Sequence, residues 1–476
     1  MMARYIKLII CLLPFTSLAQ EKWDLRKCVE YAIEHNISVR QTDLQARYSA
    51  LTLKESKAAQ IPSLGVGING GYNFGLTENP TTGVLQDNNF FSTSGGLQTS
   101  VTLFNWFSIR KTIEANKLTL QADNEQTNKA KNDIALNVAN AYLQILLTKE
   151  QVNIARGQAE LSRSQLENTR KQVDAGRLPE INAAELEAQL ARDSSTLITA
   201  ETSVQQSLLL MKALLNLDAA TPFDVVTPPV EMIPIEPLGD LQPEAVYALA
   251  LANMPQQKVN DLRIEAAKRS VAAARGRMYP TVSASGSVGT NYTNLSYPIT
   301  SPTGQKQVTG ATVNVGGVDY DVMTPVYVQT GSATTPFGRQ IRSNFGQSIG
   351  LGLNIPLFNG RAAKTNWERA KLNVVGYELT KQQGDLQLKQ DIYTAYTNAV
   401  AAVEKFNANT KTVQTAQRVF DFAQKRYDLG LMSTFDLVTS QNNLQRARYD
   451  LVYAQYDYVF KMKLLEFYKG QGIKLQ

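Results

Sequence analysis

The sequence is poor in the residues that build metal centres, disulfide frameworks and nucleotide sites. Among its 476 residues there are one histidine, His35, and two cysteines, Cys11 and Cys28. His35 has no second histidine and no cysteine pair with which to bind a metal ion, and two cysteines do not make a disulfide framework. No P-loop occurs, and GVGINGG (65–71) lies in a strand-like segment with no helix opening after it. We therefore expect no enzyme, no catalytic residue, no metal and no cofactor.

Concentrated charge and long apolar runs are also lacking. The net charge of +6 is spread along the chain without a basic patch, so nucleic acid is not an expected partner. Hydrophobic residues make up 43% of the chain and the mean hydropathy is −0.23. Beyond the N-terminus no run reaches the roughly 20 apolar residues that a membrane helix requires. The mature chain is therefore soluble, or it enters a membrane by another route.

The N-terminus carries the features of a secretory signal peptide. In MMARYIKLIICLLPFTSLAQ, Arg4 and Lys7 precede an apolar core that ends in a small-residue cleavage signal. The pattern predicts a signal peptide over residues 1–19, cut after Ala19. Cys28 then remains as a lone thiol.

Four uncharged segments alternate between apolar and small or polar residues, which is the period of a β-strand. They are residues 62–75, 96–105, 281–292 and 344–358. In the first segment, for example, Leu64, Val66 and Ile68 share one face. The half-buried strands of a soluble sandwich are one interpretation. The absence of Lys or Glu from the second face favours the other, a transmembrane β-barrel.

The two halves of the chain resemble each other. VTLFNW (101–106) aligns with IPLFNG (355–360) at an offset of 254 that holds through Gly176 and Gly430. Upstream, IPS at Ile61 aligns with YPT at Tyr279 at an offset of 218, so 254 − 218 = 36 extra residues lie between the strands of the second copy. This insertion, around SPTGQKQVTGATVNVGG (301–317), is predicted to be a long polar loop. A duplication predicts two structural repeats, residues 20–232 and 233–476.

Heptad stripes predict long coiled-coil helices in each repeat. The helices are expected over about 106–172 and 181–217, and over about 361–426 and 435–468. A short helix before each strand pair, about 38–60 and 256–277, is expected to stack on the end of the shorter long helix. The stripes are Val138, Ile145, Val152, Ala159, Leu166, Val173; Ala183, Leu190, Leu197, Val204, Met211; Ile392, Ala399, Phe406, Val413, Phe420, Tyr427; and Leu437, Leu444, Leu451, Tyr458, Leu465.

These elements predict a mainly α fold of long antiparallel coiled coils with a smaller transmembrane β part of four strands per chain. Four strands cannot close a barrel, since about eight is the practical minimum. The chain must therefore oligomerise to shield its sheet edges.

The duplicated order of helix, strand, strand, long helix, turn and helix resembles the TolC family of outer-membrane factors. The two LFN turns and the Gly-centred turns DAGRL and DLGLM belong to the same pattern, which covers nearly the whole mature chain. The resemblance implies a homotrimer in which a β-barrel in the outer membrane continues into a large periplasmic α-barrel. It also implies a passive exit duct of tripartite efflux or type I secretion, working with a periplasmic adaptor (membrane fusion protein) and an inner-membrane RND or ABC pump.

The resemblance further implies that the helix tips contact the adaptor. The matching residues are Ala175, Gly176, Arg177 and Leu178, and Leu429, Gly430, Leu431 and Met432. Ala175 and Leu429 stand where the family has valine. Both glycines are also expected to end their helices with a positive φ.

The family often carries an acidic ring at its aperture. Asp436 occupies one such position, Asn182 and Glu185 are the candidates in the first repeat, and Tyr427 matches a gating tyrosine. Asp436 equally suits the start of a helix, as in STFD, and Tyr427 lies on a heptad stripe. Two other functions remain open: a periplasmic coiled-coil adaptor or scaffold without a pore, and a passive porin.

Overall fold

The structure, a computed structural model, describes residues 22–78, 85–87, 89–229 and 233–470. The predicted signal peptide lies outside these residues. The chain forms two compact units. The helical unit contains the residues up to Leu51, Asn116–Ala267 and the residues from Leu372 onward, and the sheet unit contains Thr52–Ala115 and Lys268–Lys371. Each unit draws on both predicted repeats.

The sheet unit is built on four antiparallel strands in the order β1-β4-β5-β8. They are β1 (Ser63–Asn73), β4 (Phe90–Phe104), β5 (Thr281–Thr293) and β8 (Gly346–Asn354). A short hairpin of β2 (Leu76–Glu78) and β3 (Leu85–Asp87) lies between β1 and β4. β4 begins six residues before the predicted 96, because β1 and β5 pair with its first half as well. β8 ends at Asn354 instead of 358, where Pro356 has no N–H to donate to a ladder.

The register places the apolar residues of all four strands on one face. Val66 pairs with Leu97, Leu97 with Val288, and Ala284 with Leu351. The other face carries only Ser, Thr, Asn, Gln and Gly apart from Phe90. Its polar members are Ser63, Gly65, Gly67, Asn69, Gly71, Asn73; Ser92, Ser94, Gly96, Gln98, Ser100, Thr102; Thr281, Ser283, Ser285, Ser287, Gly289, Asn291, Thr293; and Gly346, Ser348, Gly350, Gly352, Asn354.

The prediction of a long polar loop in the second repeat is wrong. Residues 296–334 form a β-hairpin of β6 (Ser296–Val315) and β7 (Val318–Thr334), followed by helix α7 (Phe337–Ser343). Two bulges in β6, at Gly304 and Gly310, each with a φ of +80°, shift the pairing register. At each bulge three residues of β6 lie opposite one residue of β7. Glycine, threonine and proline are frequent along β6, and such a composition is typical of a loop, so the strand was not recognised in the sequence.

Nine helices are described. The short ones before the strands are α1 (Leu25–His35) and α2 (Ile37–Ala58), and α5 (Pro243–Asn253) and α6 (Pro255–Gly276). The long ones are α3 (Ser108–Asp174), α4 (Glu180–Leu215), α8 (Ala362–Asp428) and α9 (Thr434–Tyr468), with α7 beside β8. α1 and α5 were not predicted. Pro255 explains the break after α5, since the residue before a proline avoids helical conformation.

The short helices meet the ends of the long ones, as expected. The Asn36 amide, at the junction of α1 and α2, donates to the carbonyl of Leu214 near the end of α4 (2.9 Å). In the second half, the Asn253 amide donates to the carbonyl of Lys469 after α9 (3.2 Å). The two halves therefore use the same side-chain type to join a helix break to a helix end.

The strand-to-helix turns also repeat in backbone conformation. Trp106 and Phe107 have φ values of 52° and 60°, and their counterparts at an offset of 254, Gly360 and Arg361, have 60° and 64°. Left-handed conformation is costly for residues other than glycine. Aromatic contacts surround the first turn, where the rings of Trp106 and Tyr279 lie 4.9 Å apart.

The largest apolar core of the helical unit joins α1, α3, α4 and the segment after α4. Ile145, Met211, Leu215 and Cys28 are fully buried in it. Burial raises the pKa of the Cys28 thiol to about 12. Among the described helices, none combines the length and apolarity needed to cross a membrane.

An ion pair ties the segment after α4 to this core. Asp224 binds the Lys149 ammonium and lies 3.5 Å from that of Lys22, and the tyrosine hydroxyl of Tyr142 donates to the carbonyl of Val226 (2.6 Å). Burial alone would raise the pKa of Asp224. The hydrogen bonds from Lys149 and from the Val225 N–H, together with the two lysine charges, instead hold it below its ordinary value of 3.8.

The substitution Asp224→Asn is expected to destabilise the protein at pH 7 by about 1–2 kcal/mol, because a charge-assisted hydrogen bond is lost. A lowered carboxyl pKa contributes stability above the ordinary pKa and loses it as the pH falls through the folded value. The melting-temperature difference from wild type should therefore be present at pH 7 and shrink below pH 3.8. The exposed control Glu160→Gln should melt like wild type at both pH values. A difference that is the same at acid and neutral pH would contradict this account.

Candidate functional site

The two turns at the tips of the long helices have the same geometry. In the first, the Gly176 N–H donates to the carbonyl of Val173 and the Arg177 N–H to that of Gln172, both at 2.8 Å. In the second, Gly430 donates to Tyr427 and Leu431 to Arg426, again at 2.8 Å. Gly176 and Gly430 have φ values of 68° and 72°. This is the Schellman motif, in which glycine follows the last helical residues and the final carbonyls are satisfied by backbone N–H groups.

The tips leave their side chains free of the turn. An added Cβ on either glycine would meet nothing within 4 Å. At the second tip, Leu429 and Leu431 are 74% and 64% exposed, whereas Met432 packs against a buried cluster. At the first tip Ala175 and Arg177 are exposed and Leu178 is half-buried. The second tip is therefore the more apolar of the two.

The start of α9 is capped by side chains. The Ser433 hydroxyl accepts from the Asp436 N–H (3.1 Å) and donates to the Asp436 carboxylate (2.7 Å). An acidic residue in the first turn also complements the helix dipole. α4 has no such cap: Pro179 precedes it, and the Asn182 N–H donates to the Pro179 carbonyl (3.1 Å). Asn182 and Glu185 are both half-buried, and Asp436 is exposed.

Tyr427 is half-buried beside a small core formed by Phe420, Ala423, Leu437 and Leu444. Its hydroxyl lies 3.0 Å from the Thr169 hydroxyl on α3, and the Thr434 hydroxyl donates to it at 3.5 Å. Tyr427 therefore packs as the heptad predicts and also joins α8 to α3 by a polar contact.

Sequence reasoning missed a polar layer that continues this contact away from the tips. Gln165 donates to Gln424 (3.0 Å), joining α3 to α8. Ser162 lies at the centre of the layer, donating to Asp193 on α4 (2.6 Å) and accepting from Gln441 on α9 (2.9 Å). Ser162, Gln441 and Asp193 are at least 95% buried. The sequence feature that could have indicated this layer was Ser162, which continues the small-residue stripe Ala141, Thr148, Ala155.

The layer also explains an error in the heptad assigned to α4. Leu190, Leu197 and Val204 are only half-buried, whereas Leu186, Asp193, Ala200 and Ser207 form the buried seam at the same spacing of seven. Gln189 is buried as well, with its amide donating to Asp193 and to Asn442 of α9. The two end residues of the predicted stripe, Ala183 and Met211, are buried as predicted, but between them the buried seam contains Asp193 and Ser207 beside Leu186 and Ala200.

Comparison with known proteins identifies the family. The family profile described as "Outer membrane efflux protein" matches residues 29–217 and 246–467. The outer membrane protein TolC of Salmonella enteritidis is 22% identical over 467 residues, covering 96% of this chain and 83% of the relative. The outer membrane efflux protein BepC of Brucella suis is also 22% identical, covering 90% and 81%.

Solved structures share the fold. The CmeC outer membrane channel of Campylobacter jejuni superposes with a TM-score of 0.73 at 17% identity, covering 95% of this chain and 86% of that one. The outer membrane protein VceC of Vibrio cholerae gives 0.73 at 18% identity, covering 94% and 97%. These matches favour the duct over an adaptor or scaffold. With the family profile matched across most of both halves, the chain belongs to the outer membrane efflux protein family.

Proposed function

We propose that this outer-membrane protein is a homotrimeric exit duct that receives substrate at its helix tips from a periplasmic adaptor and an inner-membrane pump. The observation that carries the proposal is the open-edged, uncharged sheet. Its two outer strands, β1 and β8, each pair on one side only. Three copies of four strands would give 3 × 4 = 12 strands, which is enough to close a barrel.

The faces of the sheet suit a barrel in lipid. One face is apolar and exposed, and Ile349 on it is 95% exposed. Aromatic contacts mark both ends: Tyr72 with Phe91 (5.5 Å between ring centroids) at one end and Phe104 with Trp106 (5.5 Å) at the other. Thirteen residues along β4 separate the rings of Phe91 and Phe104, roughly 43 Å along the strand and roughly 33 Å across a membrane at a tilt of about 40°. Aromatic girdles around an apolar band are the mark of outer-membrane barrels.

The helical unit has two open edges of its own. Contacts run from α2 to α3 (Ser49 to Asp123), from α3 to α6 (Asp123 to Arg263) and from α6 to α8 (Asp261 to Lys381). The outer helices of this row are α2 and α8. Each carries an exposed apolar stripe at a spacing of seven: Ile37, Leu44 and Leu51, and Leu372, Leu379 and Leu386. A heptad stripe favours pairing with another helix, and α2 of a neighbouring copy gives α8 that partner.

Placing a charge in the α8 stripe tests this assembly. We expect Leu379→Asp to convert the detergent-purified trimer largely to monomer, because a carboxylate would be buried between helices without a partner. Thr380→Asp adds the same charge one residue along, on another side of the helix, and should leave the trimer intact. The measurement is the mass of the protein in detergent by light scattering. If the Leu379→Asp protein stays trimeric, α8 is not part of the interface between copies.

The helix tips are proposed as the adaptor contact. Backbone hydrogen bonds close both Schellman turns, and the side chains of Ala175, Arg177, Leu429 and Leu431 around the two glycines are exposed to a partner. Exposed leucines flanking Gly430 suit an apolar contact of the kind that forms the centre of protein interfaces. Relatives that share this fold include proteins named for toxin and drug export and for alkaline protease secretion, which is consistent with a duct whose substrate is chosen by its pump.

Leu431→Asn is expected to reduce efflux while leaving the trimer intact, because it removes apolar contact at the tip without altering the Gly430 turn. Val419→Asn changes an exposed apolar residue higher on α8 and is the matched control. The readout is the resistance to toxic compounds of a duct-deficient strain that produces each variant, with equal protein levels in the outer membrane. Equal losses for both variants would argue against a specific contact at the tip.

Tyr427 is proposed to restrain the aperture, and Asp436, Asn182 and Glu185 are proposed to line it from the starts of α9 and α4. The polar layer between the helix pairs is incompletely satisfied: the Gln165 and Gln441 side-chain oxygens are buried and accept no hydrogen bond from the described residues. Contacts of this kind contribute about 0.5–1.5 kcal/mol each. They are weak enough to break when a partner binds.

Tyr427→Phe removes the hydroxyl that contacts Thr169 and keeps the ring in its packing. We expect a higher conductance of the isolated duct in planar bilayers, because one restraint between α8 and α3 is lost. Tyr453→Phe, at an exposed tyrosine of α9, is the control. An unchanged conductance in Tyr427→Phe would show that this contact does not hold the aperture.

A further inference from the structure

The β6–β7 hairpin is a feature that the duct function does not explain. It fills the insertion that distinguishes the second half of the chain, and Gly316 and Gly317 turn its end. It emerges where β5 ends, at Thr293, which is the opposite end of the sheet from the one at which β4 runs into α3. In the proposed duct that end faces the outside of the cell.

The outer half of the hairpin has two different faces. Val315 pairs with Val318, and Val313 with Tyr320. Alternation adds Val322 to this apolar side, which we call the collar face: Val313, Val315, Val318, Tyr320 and Val322. These side chains are between 36% and 61% exposed. On the opposite side Asn314 pairs with Asp319 and Thr312 with Asp321.

The base of the hairpin is fixed to the sheet. The buried Gln340 side chain of α7 accepts from the Thr293 N–H (3.0 Å) and donates to the Thr293 carbonyl (2.7 Å). Thr290 on β5 donates to the carbonyl of Ile341 (2.8 Å), and the rings of Tyr292 and Phe337 lie 5.1 Å apart. The hairpin therefore leaves the sheet at a set place in every copy.

We propose that the collar face packs against the collar faces of neighbouring copies of the chain, so that the hairpins form a collar at the outer mouth of the duct. This rests on the homotrimer proposed above. A two-stranded ribbon is marginal in water unless its apolar face is covered. No described residue of the same chain covers the collar face, since its side chains are exposed.

We expect a second copy of the chain to cover the collar face. Closing the sheet edges β1 and β8 with other copies brings the hairpins of all copies to one rim, because each is fixed to β5. The collar face carries no charge, so a charged partner such as a headgroup or an acidic peptide gains nothing there. An identical apolar face matches it, and the Asp319 and Asp321 side remains in water.

Disulfide cross-linking can show which side of the hairpin faces another copy of the chain. Val318→Cys places a thiol on the collar face, and Asp319→Cys places one at the same height on the polar side. Wild type is the background control, because Cys28 is fully buried. Each protein is oxidised in outer membranes and run under non-reducing conditions, and the mass of the detergent-purified protein is measured in parallel. A disulfide requires Cα atoms within about 7 Å, so we expect at least about tenfold more covalent dimer from Val318→Cys than from Asp319→Cys.

Equal cross-linking of both variants, or none from Val318→Cys in a protein of trimeric mass, would overturn the collar and leave the homotrimer standing. An adduct of Val318→Cys with a different protein would overturn it as well, in favour of a foreign partner. A monomeric mass would contradict both the proposed homotrimer and the collar. Because the mass is measured independently of the cross-linking, this outcome can be told apart from a failure of the collar alone.

A second variant keeps the test independent of the cysteine position. Tyr320→Ser removes the largest side chain of the collar face, and in the Val318→Cys background it should lower the dimer yield several-fold. Tyr327→Ser, on the other side of β7 and nearer the base, should not. A larger loss of dimer from Tyr327→Ser than from Tyr320→Ser would overturn the assignment of the collar face.

Discussion

An edge strand with unpaired backbone groups is the constraint on which this structure depends. Each N–H or C=O group left without a partner in lipid costs several kcal/mol. One chain supplies four strands, with β1 and β8 at the edges, and cannot remove those edges itself. The proposed assembly would pair those edges with the strands of other copies, and the uncharged faces of the strands suit it. A sheet that had to survive as a monomer in water would carry lysine or proline at its edges.

The two predicted repeats connect their helices and strands through residues with the same roles. Asn36 and Asn253 link helix breaks to helix ends, Gly176 and Gly430 end the long helices, and left-handed residues follow β4 and β8. The compact units nevertheless cut across the repeats. Strands of one repeat pair with strands of the other, as β4 does with β5. Neither predicted repeat therefore has a sheet or a helical layer that is complete without the other.

The sequence predicted those elements whose apolar residues recur at the period of a strand or a helix. β1 alternates without a bulge, and its apolar face could be assigned residue by residue. β6 was not assigned, because its glycine, threonine and proline residues resemble a loop and its bulges at Gly304 and Gly310 leave residues out of the pairing. In α4, Leu190 and Leu197 are only half-buried, because the adjacent buried seam includes Asp193, whose hydrogen bond with Ser162 of α3 no local pattern reveals. The tips were located because Gly176 and Gly430 each mark a helix end, whereas the contact between Tyr427 and Thr169 joins residues 258 positions apart.

The apolar core of the helical unit is large around α1 and small near the tips of the long helices. The core around α1 buries Ile145, Met211 and Leu215 among many apolar neighbours, and a large aliphatic side chain contributes roughly 1.5–3 kcal/mol when fully buried. Toward the tips the cluster beside Tyr427 has four buried members, and polar contacts replace apolar ones between the helix pairs. Local opening is easiest where few apolar contacts must break. If the tips part as proposed, the core around α1 can keep the helices in register, and an adaptor that binds the exposed leucines would need to supply only the free energy of a few hydrogen bonds.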